Sequence, residues 1–173
     1  MARQVAAAAL PLPGALRAGA GVVRLDGDGQ PHELRSGANG MVCLADQPGD
    51  SIFDVRCYHA SFIQLIYRRR QLVARGVSES ALEQAVDAEV RSGKLRLPPG
   101  HTAGYRMYGP LAGYDPATNT VASTIDAWQS IHMPYRTAAS LGMPTKEDGL
   151  QPYVMASGTY WAHVMIMQSP LRY

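Results

Sequence analysis

The sequence predicts an α+β fold, in which an antiparallel sheet packs against a helical hairpin within a single domain. Two neighbouring stretches between residues 60 and 93 place apolar side chains at helical period. Strand-like runs, broken by Gly, Pro, Asn and Asp, lie on both sides of that pair. The helices come together and do not alternate with strands, so a parallel α/β sheet is not expected. A chain of 173 residues suffices for one core and is short for two ordinary domains.

Residues 1–21 carry an early Arg and a short Ala run interrupted by Pro11 and Pro13. They are expected to form a flexible Ala/Pro-rich arm or the remnant of a signal segment, with the domain proper spanning 22–173. Val22 to Leu25 and His32 to Leu34 flank Asp26-Gly27-Asp28-Gly29, which predicts an early hairpin. The DGDG run lacks the further oxygen ligands and terminal Glu of an EF-hand loop. Asn39-Gly40 then predicts a type I′ turn, because both residue types accept positive φ.

Cys43 and Cys57 bracket Asp46, Pro48, Gly49, Asp50 and Ser51, a cluster of turn formers between two strand-like runs. A disulfide would pin the ends of that loop, and closing roughly 15 residues is worth about 3 kcal/mol in the chain-entropy model. The alternative is a pair of reduced cysteines buried as small apolar residues. The spacing is not that of a C-x-x-C redox pair.

From Ala60 to Arg75 the stripe Phe62, Leu65, Ile66, Arg69 and Leu72 or Val73 predicts a helix stopped at Gly76. Ser80 with Glu83 gives a capping-box signature for a second helix, whose stripe is Leu82, Ala85, Val86 and Val90 before Gly93. Arg68, Arg69 and Arg70 lie near the turn, but the second helix carries Glu79, Glu83, Asp87 and Glu89 against Arg91. That acidity opposes phosphate, so no nucleic acid is expected, and the arginines are read as a solvated face pairing across the hairpin.

Beyond Pro98-Pro99 the chain reads as a meander, with Tyr105, Met107 and Leu111 on one side and a strand from Val121 to Ile125. Thr137 to Leu141 is long enough for one helical turn. Tyr153 to Met155 and Tyr160 to Met167 close the chain around Ser157-Gly158, the last run being read as a central strand. Its alternation puts His163, Met165 and Met167 on one face and Ala162, Val164 and Ile166 on the other.

Hydrophobic content of 46% and charged content of 17% argue for a folded chain, and no apolar run approaches a membrane span. A net charge of +2 implies no polyanionic partner. The common nucleotide, zinc-protease and haem-attachment motifs are absent, and no cofactor is indicated. Ser157 lacks a nucleophile elbow. Acid–base candidates are His163 and His59, with Asp54, Asp126 and His101 as residues of the right type. His163, Met165 and Met167 form a weak copper(I) set, to which Met155 and His132 could add, against the ordinary reading of core packing. Nine tyrosines, two tryptophans and eight methionines, mostly in the second half, could line an apolar pocket. Tyr105, Tyr108, Trp128, Tyr160 and His163 are its expected residues.

The run containing Leu34, Arg35, Gly37, Asn39, Gly40 and Cys43, then Cys57, then Ala162, His163, Val164 and Met165 resembles an uncharacterised family of bacterial, often signal-peptide-bearing proteins. That family shows an L-R-x-G-x-N-G-x-x-C…C opening and a C-terminal A/P-H-V/I-M motif. The resemblance covers most of residues 35–167, with Met41 where many relatives have Trp. It implies a periplasmic or secreted setting and supplies no reaction. The expected function is a non-enzymatic protein that binds a small apolar or aromatic ligand, or a protein partner. The alternatives are a small hydrolase- or lyase-type enzyme using His163 with His59 or an Asp, and a copper(I) protein using His163 and Met165.

Overall fold

In the computed structural model, which describes residues 1–149 and 151–168, the sheet is the organising element. Its strands are β1 (Gly21–Leu25), β2 (Pro31–Arg35), β3 (Met41–Leu44), β4 (Ile52–His59), β5 (Thr102–Pro110), β8 (Asp126–His132), β9 (Tyr153–Met155) and β10 (His163–Gln168). The two-residue strands β6 (Tyr114–Asp115) and β7 (Thr120–Val121) form a separate hairpin. The order of the large sheet is β2-β1-β3-β4-β5-β8-β10-β9. All neighbours are antiparallel except β1 and β3. With the hairpin α3 (Ala60–Ala74) and α4 (Glu79–Arg91) lying on one face, the fold is α+β as predicted.

The hairpin packs through the stripe its period dictates. Phe62, Leu65, Ile66 and Leu72 of α3 and Leu82 and Val86 of α4 are buried against Val23, Leu25, Leu44 and Tyr58 of the sheet. Val73 is exposed, so Leu72 completes the stripe. Gly76 (φ +79°) and Gly93 (φ +75°) stop the two helices in the left-handed conformation that Gly accepts freely. The acidic helix answers the arginine run: Arg68 pairs with Glu89, and Arg69 lies 2.6 Å from Glu83. The expected capping box does not form, because Ser78 is the N-cap and makes no side-chain bond to the helix, and Ser80 lies inside it.

The N-terminal segment departs from the expected arm. Ala2–Ala8 forms α1 and Gly14–Arg17 forms the short α2, and both sit against the sheet's other face. Ala8 is 0% exposed, and its carbonyl oxygen lies 3.3 Å from Cys57 Sγ. The alanine run bears side chains small enough to bring a helix close to the cross-linked strands, and Leu10 and Leu12 fill the flanks. Arg17 fixes the end by donating to the carbonyls of Leu12 and Leu10. This face is covered further along by α5 (Ala138–Leu141), against Val154 and Val164.

The cysteine corner is oxidised, with Cys43 and Cys57 directly opposed on β3 and β4 and bonded to each other. Asn39-Gly40 is not a type I′ turn, since only Gly40 has positive φ and β2 does not pair with β3. Instead the Asn39 side chain accepts from the Met41 N–H and donates to the Leu16 carbonyl, tying α2 to the loop. Gly37 of the same loop rests on Gly21, where a Cβ would come within 2.4 Å of the backbone nitrogen. The DGDG turn does join β1 to β2, with Asp26 accepting from the N–H groups of Asp28 and Gln30.

Three strand expectations shift. Residues 122–125 form the turn between β7 and β8, so the expected strand at 121–125 lies further along, at Asp126–His132. The last strand begins at His163, because Tyr160 and Trp161 belong to a turn held by the Ala162 N–H donating to the Thr159 carbonyl. It lies next to the outermost strand and not centrally, since β9 alone pairs with its far side. Tyr105 and Met107 share a face as expected, whereas Leu111 falls in a 3-10 turn.

Candidate functional site

Strand alternation decides which side chains face the helical hairpin. On β4 these are Asp54, Arg56 and Tyr58; on β5, Gly104, Arg106 and Tyr108; on β8, Trp128, Ser130 and His132; on β10, His163 and Met165. The register lines them up as cross-strand rows: Arg56, Arg106 and Trp128; Tyr58, Gly104, Ser130 and Met165; His132 and His163. The hairpin covers the β1 and β3 end closely and touches the rows through Phe62, which packs on Tyr58 and His132, while the rest of the rows borders open space. A half-open cavity of about 580 Å³ results, bordered also by Arg69, Arg70 and Val73 of α3, Tyr153 and Met155 of β9, Glu147 and Trp161.

One end of the cavity is charged. Asp54 accepts from Nε and Nη2 of Arg56 at 2.9 and 2.5 Å, and from Nε and Nη2 of Arg106 at 2.9 and 3.0 Å. Burial alone would raise the Asp54 carboxyl, but these hydrogen bonds outweigh it and hold the pKa down to about 2. The Arg106 guanidinium lies over the rings of Tyr108 and Trp128, 4.5 and 5.0 Å from their centroids. Arg69 is similarly placed over Trp161 at 4.5 Å.

The other end is aromatic and carries the two histidines, whose ring centroids are 5.0 Å apart. His132 is 2% exposed, packs on Phe62 at 4.2 Å, and shares a hydrogen bond of 3.2 Å between Nε2 and Ser130 Oγ. Its buried Nδ1 has no partner among the described residues. Burial, and secondarily His163, lowers its pKa to about 3, so the ring is neutral at ordinary pH. His163 is 7% exposed, and its Nδ1 donates to the Trp161 carbonyl at 2.7 Å. Burial lowers its pKa as well, and the donated hydrogen bond leaves Nε2 with a free lone pair. Gly104 makes room for this cluster, since a Cβ there would meet Ser130 Oγ at 2.6 Å and His132 Nε2 at 3.1 Å.

The structure brings together some of the expected residues and separates others. Trp128, His163 and Met165 border the cavity, and Tyr108 borders a smaller adjoining one of about 370 Å³. Tyr105 borders the first, but the pleat sends its side chain to the other face, where it packs with the disulfide cluster. Tyr160 is 1% exposed in the core beneath; its hydroxyl donates to Glu83 at 2.7 Å and accepts from Arg69. His59 stands on the opposite face from His163 and caps α3, its Nδ1 accepting from the Ser61 N–H. It cannot share chemistry with His163. Ser157 is structural, its Oγ accepting from the Ala138 N–H, and Asp126 and His101 are exposed. The Met167 side chain lies outside the described residues.

Arg56, Arg106, Arg70, Ser130, Tyr153 and Trp161 were not singled out as site residues from the sequence. The signal for the first two was present: D-x-R-x-Y in β4 and R-x-Y in β5 put charge and aromatic groups on one side of each strand. Among the described residues no group of three or more His, Cys, Asp or Glu is placed to hold a metal ion, and no helix is long and apolar enough to cross a membrane. Comparison with protein-family models, with curated proteins and with solved structures finds no match.

Proposed function

We propose that this is a non-enzymatic binding protein whose cavity, between the sheet and the helical hairpin, takes a small molecule with an aromatic body. The observation that carries this reading is the cavity itself. Its volume of about 580 Å³ fits a ligand, and Trp128, Trp161, Tyr153 and Met165 line it around a few fixed polar groups. His163 Nε2, a lone pair without a proton, is an acceptor for a ligand N–H or O–H. The Cys43–Cys57 disulfide supports an oxidising, periplasmic or secreted setting.

An acid–base enzyme is favoured by one contact, Ser130 Oγ against His132 Nε2. Two facts weigh against it. A base whose pKa is lowered to about 3 is too weak to activate a hydroxyl, and no carboxylate among the described residues orients its Nδ1. The copper(I) alternative rests on His163 and Met165 sharing the cavity wall.

The chain has two tryptophans, and both border the cavity, so intrinsic fluorescence reports directly on its contents. Titration with a neutral bicyclic aromatic, 1-naphthamide, is expected to give a saturable change in emission. A linear, non-saturating response to 1-naphthamide and to its charged analogues alike would overturn the reading.

A further inference from the structure

The charged end of the cavity contains more positive charge than it neutralises. Arg68 and Arg69 both find carboxylates on α4, but Arg70, the third of the run, has no hydrogen bond or ion pair among the described residues. Its neighbours across the cavity are Arg56 and Arg106, which share the single carboxylate of Asp54. Three guanidinium groups thus face one carboxylate. Each of Arg56 and Arg106 spends its Nε and Nη2 on Asp54, and Arg56 also interacts with the Tyr58 hydroxyl, whereas Arg106 Nη1 has no hydrogen-bond partner among the described residues. The environment lowers the Arg70 pKa, first through partial desolvation of the guanidinium and then through repulsion from Arg56, although the residue as a whole is exposed.

Nearby acids add negative charge to the adjoining cavity, which Arg56 and Arg70 also border, but none of them pairs with Arg70 among the described residues. In the adjoining cavity, Asp26 accepts from the Asp28 and Gln30 N–H groups and from His32, Asp46 from the Asp54 N–H, and Asp50 from the Ile52 N–H. Glu147 borders the main cavity close to Tyr153, toward its β9 side.

Resting on the reading of the cavity as a small-molecule site, we infer that its ligand is an aromatic oxyanion: a carboxylate or phosphate seated on Arg70 in front of Arg56 and Arg106, with its ring along Trp128. Arg70 supplies a cation with no ion pair among the described residues, while Arg56 and Arg106 are held in place by Asp54, and Arg106 also by stacking on Tyr108 and Trp128. Guanidinium is the side chain whose flat fork of donors matches both oxyanions. The aromatic wall begins at Trp128, next to the charges, so one molecule can satisfy both ends.

The test compares 1-naphthoate, 1-naphthyl phosphate and neutral 1-naphthamide by tryptophan fluorescence, on the native protein and on Arg70→Gln. A charge-assisted hydrogen bond at a partly shielded site is worth about tenfold in affinity, so at least one anion is expected to bind about tenfold more tightly than the amide. In Arg70→Gln that preference is expected to fall below about twofold while the amide affinity is kept, since the removed group touches only the anion. The substituted residue is exposed and has no ion pair among the described residues, and its charge is repelled by Arg56, so the melting temperature serves as a control and should stay level or rise. Tighter binding of the phosphate assigns that source, and tighter binding of naphthoate assigns a carboxylate. Equal affinities for anions and amide, or a preference that survives Arg70→Gln, overturn the inference and leave the cavity reading standing. Saturable binding by none of the three overturns the cavity reading itself.

Discussion

The two sides of β4 make different molecules of one strand. Phe53, Val55 and Cys57 face α1 and are closed off by an alanine-rich helix and a disulfide. Asp54, Arg56 and Tyr58, interleaved with them, face the helical hairpin and carry the charged end of a half-open cavity. The sealed side draws its stability from apolar area and a covalent link. The open side keeps charged groups partly withdrawn from water, which is tolerable only because they are hydrogen-bonded to one another. The difference shows how the sheet can be anchored on one side while the other is free to vary its chemistry.

That contrast can be broken on the sealed side first. Replacing both cysteines, Cys43→Ala with Cys57→Ala, is expected to cost about 3 kcal/mol in urea unfolding, because the unfolded chain regains the freedom of the closed loop. Tryptophan emission and cavity affinity should be unchanged in the folded fraction. A loss below about 1 kcal/mol would show that α1 packing, and not the cross-link, holds this face.

On the open side, Asp54→Asn removes the shared counter-charge. At pH 7 the expected cost is about 2 kcal/mol, from a carboxyl pKa displaced from 3.8 to about 2. Because the folded-state pKa is lowered, this stability is fully present above about pH 4 and is lost as pH falls through about 2. Unfolding midpoints of native and variant protein should therefore converge on acidification. A gap as wide at pH 2 as at pH 7 would locate the effect in packing instead.

The smallest effect is expected at His163, where the two roles meet. His163→Ala strands the Trp161 carbonyl, but both residues border the cavity, so removing the ring opens that position to water and the loss should be about 1 kcal/mol. Affinity for 1-naphthamide should fall at the same time. A variant that is destabilised with unchanged affinity would place His163 among the purely structural residues.

Much of this architecture is legible in the sequence, because local rules fixed it. The helix pair follows from the stripes at Phe62 and Leu82 and the stops at Gly76 and Gly93, and the disulfide from two cysteines flanking a turn-rich loop. What failed was decided at long range. The Ala run of α1 looks like an arm because nothing local says that Cys57 waits beneath it. The site was only half visible for the same reason. Alternation along β10 put His163 beside Met165, but only pairing across three strands brings Arg56, Arg106 and Trp128 into one row, and only the hairpin's position singles out Arg70 from Arg68 and Arg69. His59 was misjudged because a residue's face depends on strand register, which composition does not reveal.

The strand order has a consequence for how copies of this chain meet. An open eight-stranded sheet has two rims where unpaired backbone groups could template another strand. At one rim β2 opens with Pro31, which has no N–H to offer, and its exposed residues Pro31, His32 and Glu33 include a charge. At the other, β9 is three residues long and is followed at once by Ala156 with φ +50°, which turns the backbone out of the extended line. Among the described residues neither rim presents the long, flat, apolar edge that propagates sheet-to-sheet addition, so both rims resist templating a second copy.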